Sequence, residues 1–297
     1  MRSQIHKGIG LALMTMVISG VSNYVNKIAV LKIDPLVHTT VKNSLVFLMI
    51  AVYFIIFSKK GQSIVNIAKK DKLKLILIGL IGGSVPFYLY FTGLVSVPAI
   101  NASIIHKSLI FWVAMIAIPV LKERLNLFHI IGIAFLFGGN FLIGGFKGFN
   151  MISGEFLILT ATIFWAIENI VAKLTLKKVE PTVVAFARMG IGSLILFSIV
   201  IFQSKLTGIF LLDFSQWTII GLTSFLLFSY VMTWYHALKY APVITVASVL
   251  VGATLITNLM TVFFEGKQII SFDWQPSIII LCGVVMILLA TRWSYEW

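Results

Sequence analysis

One acidic and one basic residue lie deep inside apolar segments of the sequence. Lys107 comes about nine residues after Pro98, and at 1.5 Å per residue it would lie roughly 13 Å from the outer end of its helix. Glu168 would lie roughly 20 Å from the outer end of its own helix. Because an ionised side chain at mid-membrane costs about 2.5–3.5 kcal/mol, each must find a partner or water. We therefore expect Lys107, Glu168 and the neighbouring His106 to face one wet cavity.

These three side chains could bind a solute or transfer a proton. A carboxylate and an ammonium at similar depth could receive the two ends of a zwitterion. Alternatively, Glu168 or His106 could take up a proton on one side of a membrane and release it on the other. A purely structural ion pair between Lys107 and Glu168 is the third reading. All three roles remain open from the residues alone.

Other polar and aromatic residues in the apolar segments extend the candidate site. They combine aromatic faces with hydrogen-bonding groups, which suits an organic solute, although Trp and Tyr also favour the membrane interface. Trp165 shares a helix face with Glu168 because three residues separate them. The candidate solute-binding residues are Asn23, Tyr24, Tyr88, Lys107, Trp112, Trp165, Glu168, Asn169, Trp234 and Asn258.

Four further basic residues lie near the ends of apolar segments: Lys27, Lys42, Lys173 and Arg188. Snorkelling to the membrane surface would explain all four, and gating is the alternative. The candidate coupling or gating residues are His106, Glu168, Lys27 and Lys173.

The composition identifies the apolar segments as membrane helices. Of 297 residues, 59% are apolar and 11% are charged, and the mean hydropathy is +1.03. A soluble domain carries about 25% charged residues, so an ordinary water-soluble fold is excluded. Lipid forces the backbone to satisfy its own hydrogen bonds, so we predict an all-α membrane protein with ten transmembrane helices. The predicted spans are 8–30, 36–57, 75–93, 98–121, 128–146, 155–176, 182–202, 217–237, 242–264 and 275–293.

Basic residues outside the spans indicate the orientation. With the N-terminus inside, most of them fall on the cytoplasmic side, as the positive-inside rule requires. Because the number of spans is even, both termini are then cytoplasmic. The net charge of +13 thus reflects the topology of a multi-pass protein of the cytoplasmic membrane, and we expect no nucleic-acid partner. A surface for anionic lipid or nucleic acid is the alternative.

The sequence lacks the motifs of catalytic chemistry. It contains no Walker motif, no GxSxG and no HExxH, and its single cysteine, Cys282, lies in an apolar run. We therefore predict that the protein is not an enzyme, and we expect no cofactor and no metal site.

The two halves of the sequence match at a nearly constant offset. Polar, Gly and Pro residues recur 146 positions later, and the offset then drifts to 144, where Pro98 meets Pro242. We predict two repeats, 1–148 and 149–297, with five spans each, so that the second is inverted in the membrane. Chance similarity between apolar segments is the alternative. The matched pairs are Gly8 with Gly154, Lys27 with Lys173, Pro35 with Pro181, and Lys42 with Arg188.

These residues carry a resemblance to a known family. The motifs "KIDPLV" and "KVEPTV", each followed by a basic residue in the next span, together with "VPAINAS" and "PVLKERL", resemble the EamA repeat of the drug/metabolite transporter superfamily. The resemblance implies ten helices with both termini inside. It also implies a central cavity lined mainly by helices 1, 3, 4, 6, 8 and 9. Lys42 stands where the family usually has an arginine, which weakens bidentate carboxylate binding there.

The resemblance implies a secondary-active transporter that works by alternating access. We expect an exporter of a small amphipathic metabolite, such as an amino acid or a related compound, with possible proton coupling. Uptake of an organic cation or metabolite is one alternative, and a non-transporting scaffold or lipid-handling protein is another. The partners we expect are a small-molecule substrate, the lipid bilayer and possibly a second copy of the chain.

Overall fold

The computed structural model describes residues 2–57, 67–97, 99–142, 148–264 and 274–296 of the chain, and all regular structure in them is helical. The sequence match at Pro98 lies outside these residues. The helices are α1 (Arg2–Lys32), α2 (Pro35–Phe57), α3 (Lys69–Gly83), α4 (Val85–Leu94), α5 (Ala99–Lys107), α6 (Leu109–Leu121), α7 (Leu127–Leu142), α8 (Ser153–Thr175), α9 (Pro181–Phe202), α10 (Thr207–Phe210), α11 (Phe214–Tyr240), α12 (Val243–Val251), α13 (Ala253–Phe264) and α14 (Trp274–Glu296).

The predicted spans correspond to helical segments of this fold. In the described ranges, nine segments are long and apolar enough to cross a membrane. The fifth predicted span, 128–146, corresponds to α7, whose 16 residues fall short of the roughly 20 needed to cross a bilayer. Residues 143–147 at its end lie outside the described part of the chain. Large apolar side chains are exposed on the outer helices, as on a surface that faces lipid.

Three of the predicted spans are each divided into two helices. The break at Ser84 separates α3 from α4, and Pro86 follows it in the first turn of α4, where a missing N–H costs little. The break at Ser108 separates α5 from α6, and the break at Gly252 separates α12 from α13. Ser108 and Gly252 are 144 positions apart, the offset that the sequence repeat gives for this region.

Corresponding helices of the two halves of the chain make corresponding packing contacts. α1 packs on α11, and α8, its counterpart in the second half, packs on α3 and α4. Helix α2 packs on its counterpart α9, and α7 packs on its counterpart α14. The broken segments meet through α6 and α12. The first and second halves are therefore intertwined, and each buries its helices against the other.

The contact between α3 and α9 depends on glycine. A Cβ at Gly192 would lie 2.5 Å from the carbonyl oxygen of Gly83, and a Cβ at Gly83 would collide with the carbonyl oxygen of Arg188. The backbones are thus close enough that any side chain at these positions would force them apart. This approach brings Arg188 and the end of α3 together beside the centre of the molecule.

Candidate functional site

A cavity of about 510 Å³ lies at the centre of the molecule. Its described lining comes from α1, α2, α4, α5, α6, α8, α9, α11, α12 and α13. The described residues of α7 and α14, which correspond to the fifth and tenth predicted spans, do not line it, and neither span is in the set that the resemblance implies for the lining. A volume of this size suits a small organic molecule.

Most residues that the sequence singled out line this cavity. They come from α1, α5, α8 and α11, and His106 and Lys107 lie directly before the break at Ser108. The predicted residues in the lining are Asn23, Lys27, His106, Lys107, Trp165, Glu168, Asn169 and Trp234. In addition, the Nε1 of Trp234 donates a hydrogen bond to Oδ1 of Asn169 at 3.2 Å.

Four of the candidate solute-binding residues lie outside this lining, three of them on α1, α6 and α13 and the fourth on α4. The ring of Tyr24 packs against Phe264, with 5.9 Å between the ring centroids. Trp112 lies one turn after the break and donates from Nε1 to the hydroxyl of Ser108 at 3.2 Å. Nδ2 of Asn258 is buried and has no hydrogen-bond partner among the described residues. None of these side chains lines the central cavity.

Tyr88 lines a smaller pocket of about 200 Å³, next to the start of α2. Its hydroxyl accepts a hydrogen bond from Gln203 at 2.8 Å, and the pocket also contains the ion pair of Asp34 and Lys205, at 2.8 Å. Partial burial acts to raise the pKa of Asp34, but hydrogen bonds from Lys205 and from the first amides of α2 outweigh it and lower that pKa. Asp34 thereby also caps the N-terminus of α2.

Glu168 is 1% exposed and is held by a tyrosine and an arginine. The Tyr235 hydroxyl donates to Oε1 of Glu168 at 2.6 Å, and the guanidinium of Arg188 attracts the carboxylate electrostatically. Gly82 lies between the two charged side chains, since a Cβ there would lie 2.6 Å from Cγ of Glu168 and 3.2 Å from Nε of Arg188. The missing side chain leaves room for the acid and the base to approach each other.

Lys107 has a different partner from the one that its depth suggested. Its Nζ donates to Oδ1 of Asn140 at 2.7 Å, and the Thr254 hydroxyl donates to the same oxygen at 2.7 Å. Among the described residues no ion pair joins Lys107 to Glu168, so a structural pair between them is not present. The depth of a residue along its helix does not determine which side of the helix its side chain faces. The contact with Asn140 of α7 was not predicted because that side chain is neutral.

An aromatic wall covers one side of the cavity. The ring of Trp165 contacts His106, Phe87 and Tyr90, with centroids separated by 5.0, 5.4 and 5.6 Å. The Nε1 of Trp165 donates to the carbonyl oxygen of Gly82 at 3.2 Å, which fixes the indole in place. A wall of this kind offers apolar and polarisable surface to the body of an organic solute.

Snorkelling, which the sequence suggested for Lys42 and Arg188, is wrong for both. The two residues are 3% and 6% exposed, and both line the cavity. Nζ of Lys42 donates to Oδ1 of Asn26 at 3.1 Å, and Nη2 of Arg188 donates to the carbonyl oxygen of Gly82 at 3.1 Å. Each lies seven residues after the proline that begins its helix, hence about 10 Å inside. That depth was the signal in the sequence that could have identified them.

Lys173 lies outside the cavity and binds the C-terminal end of α11. Its Nζ donates to the carbonyl oxygens of Leu238 and Ala241 at 2.5 and 2.6 Å. These carbonyls have no later turn of helix to bond with, so a lysine is a suitable partner. The interaction ties α8 to the start of the broken segment α12.

Glu123 forms a further contact at the end of the molecule where Lys173 binds α11. Lys122 ends α6 in a left-handed conformation (φ 57°), and the next residue turns toward α12. There the Glu123 carboxylate accepts hydrogen bonds from the amides of Val243 and Ile244 at 2.7 and 3.0 Å. Burial raises the pKa of Glu123, although the two amides and the charge of Lys173 act in the opposite direction. The first and second halves of the chain are thus joined at this end.

The repeat counterparts of these residues line the cavity at its other end. Lys27 corresponds to Lys173 at the offset of 146, and Leu94 and Val97 correspond to Leu238 and Ala241 at the offset of 144. Lys27, Leu94 and Val97 line the cavity, whereas Lys173, Leu238 and Ala241 do not. The cavity also reaches Leu31 at the end of α1, where 79% of the side chain is exposed.

The chain is similar to two proteins described as uncharacterized transporters and to a solved structure. A crystal structure with 15% identity superposes with a TM-score of 0.77 over 98% of this chain and 99% of the other, which establishes a shared fold. An uncharacterized transporter of Methanothermobacter thermautotrophicus is 25% identical over 150 residues, which span 48% of this chain and 44% of the relative. The uncharacterized transporter YyaM of Bacillus subtilis is 22% identical over 223 residues, or 73% of each chain.

The match to a family covers nearly the whole chain in two segments. The model of the EamA-like transporter family matches residues 6–145 and again residues 152–289. Together with the apolar spans and the central cavity, this match makes the protein a membrane transporter. The chain belongs to the EamA-like transporter family.

Proposed function

We propose that the protein is a secondary-active transporter that moves a small organic solute by alternating access through the central cavity. Its units are residues 1–148 and 149–297, acting as inverted repeats of five transmembrane helices each, with α7 completing the first. The single observation that carries this proposal is the difference between the two ends of the cavity. Lys173 ties the ends of α8 and α11 together, whereas its counterpart Lys27 lines the cavity.

The symmetry of the repeats implies a transport cycle in which the two ends of the cavity close in turn. Two halves with equivalent sequences can exchange conformations, so a form closed at Lys173 implies a second form closed at Lys27. In that second form Lys27 would donate to the carbonyls of Leu94 and Val97, as Lys173 does now to those of α11. A pair of gates that close in turn is what alternating access requires.

The positive-inside rule assigns the closed end to the cytoplasm. We propose ten helices with both termini cytoplasmic, and Gly8 near the N-terminus packs against Ala241 at the end that Lys173 closes. With that orientation, the open end of the cavity would face outward. Export is the direction that the family resemblance favours, and Glu168 and His106 are the groups that could couple transport to a proton gradient.

Chemical modification from the two sides of oriented vesicles tests the proposal. In a Cys282→Ser background, Ser103→Cys places a thiol in the cavity lining, and Ser215→Cys places one at the exposed start of α11 as a control. A membrane-impermeant maleimide is expected to modify the cavity thiol from the outside, and from the cytoplasmic side when the other form is populated. The control thiol should react at rates that do not depend on the state of the gates. A cavity thiol that reacts from one side under every condition would support a scaffold instead.

A further inference from the structure

We propose that the solute is an organic anion, a carboxylate on an apolar body without an amino group, rather than the zwitterion that the sequence suggested. This inference rests on the proposed function, because it concerns the solute that the central cavity receives. The observation behind it is the imbalance of charge in the cavity lining. Its described charged residues are the cations Lys27, Lys42, Lys107 and Arg188 and the carboxylate Glu168.

Glu168, the only carboxylate in the described lining, already interacts with other side chains of the protein. Glu168 accepts from the hydroxyl of Tyr235 and attracts Arg188, so its negative charge compensates a positive charge of the protein. A substrate ammonium would have to compete with the guanidinium for it. The carboxylate is therefore poorly placed to select a zwitterion or an organic cation.

Lys42 and Lys107, in contrast, have neutral partners. The hydrogen-bond acceptor of Lys42 is the amide of Asn26 and that of Lys107 is the amide of Asn140. The ring of Phe91 lies 5.5 Å from the Lys42 ammonium and contributes a weak cation–π attraction. Neither ammonium forms an ion pair with a carboxylate of the described residues. A buried cation with neutral partners keeps most of its desolvation cost, which an entering anion would offset.

Arg188 supplies a further donor. Its Nη2 is bonded to the carbonyl oxygen of Gly82, but its Nε is buried without a hydrogen-bond partner among the described residues. A carboxylate accepts hydrogen bonds through both oxygens and suits guanidinium and ammonium groups. The aromatic wall around Trp165 meanwhile offers apolar surface. An apolar acid satisfies both parts of the lining.

A matched series of solutes that differ only in charge tests this inference. On an aromatic body the series is hydrocinnamate, phenylalanine, phenethylamine and hydrocinnamamide. On a branched body it is isocaproate, leucine and isoamylamine. Binding of each solute to the purified full-length protein is measured by thermal shift over a range of solute concentrations, since a ligand stabilises the state it binds. We expect the anion of at least one body to bind at least about tenfold more tightly than its zwitterion and its cation.

Substitutions test whether Lys42 and Lys107 cause the preference for an anion. Lys42→Gln and Lys107→Gln are each expected to weaken binding of the anion about tenfold or more and to leave that of the neutral amide unchanged. Lys74→Gln is the control, because this lysine pairs with Asp71 outside the cavity. Retained binding of the amide also establishes that a variant is folded.

The remaining outcomes overturn the inference. A zwitterion or a cation that binds more tightly than both anions, or anions that do not bind at all, would refute it. Anion affinity that survives both lysine substitutions would refute it as well. The maleimide experiment with Ser103→Cys needs no ligand, so failure of the transport cycle and failure of the anion proposal are distinguishable.

Discussion

Replacement of Lys173 by glutamine is expected to open the end of the cavity that the proposed orientation places at the cytoplasm. The lysine makes two charge-assisted hydrogen bonds, to the carbonyl oxygens of Leu238 and Ala241 at 2.5 and 2.6 Å. Glutamine is shorter and uncharged and cannot make both contacts. The form closed at Lys173 therefore loses stability, whereas the form closed at Lys27 loses none.

The size of the effect follows from the contacts. A hydrogen bond to a charged group contributes about 1.5–3 kcal/mol, and water recovers part of two such bonds when the gate opens. We therefore take about 1.5–3 kcal/mol as the total loss. At about 1.4 kcal/mol per factor of ten, the equilibrium between the two forms shifts by about 10- to 150-fold toward the form open to the cytoplasm.

The assay is the rate at which a cavity thiol reacts from the cytoplasmic side. In the Cys282→Ser, Ser103→Cys background, Lys173→Gln should raise this rate in inside-out vesicles by a factor in that range. Lys178→Gln, at the same end of the molecule but exposed, is the matched control and should leave the rate unchanged. Lys27→Gln should shift the equilibrium in the opposite direction.

Two results would refute this reasoning. An unchanged cytoplasmic rate in Lys173→Gln would mean that the contacts with α11 do not hold the gate. A rate that rises equally in Lys173→Gln and Lys178→Gln would mean that positive charge in general, rather than these hydrogen bonds, keeps this end closed.

Three further predictions concern packing, the buried acid and the ion pair at the start of α2. Gly192→Ala should lower the apparent Tm strongly, because its Cβ would lie 2.5 Å from the facing backbone, whereas Gly138→Ala, with no atom within 4 Å of its Cβ, should change it little. Tyr235→Phe should reduce transport by roughly tenfold, since it removes the 2.6 Å hydrogen bond that orients Glu168; transport that equals the wild-type rate would contradict that role. Asp34→Asn should lower the apparent Tm at neutral pH, because the lowered pKa means that the carboxylate stabilises the fold above its ordinary pKa. This difference should disappear as the pH falls through that lowered pKa, and a difference that persists there would count against the ion pair.

The sequence predicted the helices well because length and apolarity suffice for that purpose. A run of about 20 apolar residues must be helical in lipid, whatever its neighbours are. The breaks were harder to predict. Pro86 follows the break at Ser84, but no proline lies beside Ser108 or Gly252, and serine or glycine alone also occurs in continuous helices. Each of those two breaks adjoins one of the helices α6 and α12, which pack on each other, and this contact cannot be read from the sequence.

The candidate site was predicted in part, for a related reason. Depth in the membrane identified Lys107 and Glu168 as residues that need partners, and both line the cavity. Their actual partners, Asn140 and Tyr235, come from helices whose rotation is set by tertiary packing. The sequence suggested snorkelling for Arg188, but a long side chain near a helix end can reach either the membrane surface or the interior of the protein. The close packing of α9 against α3, which the sequence does not reveal, places Arg188 beside the cavity.

The interruptions at Ser108 and Gly252 turn the two central spans into pairs of short levers. α5 has 9 residues and is therefore about 13 Å long. A swing of about 20° around Ser108 would carry its far tip roughly 5 Å, about the width of one side chain. The other lever of the same span, α6, can stay seated on α12 and α8 during that swing. In the proposed cycle, opening one end of the cavity would then need bending at a single point, and the outer helices α7 and α14, which pack on each other, would not have to move.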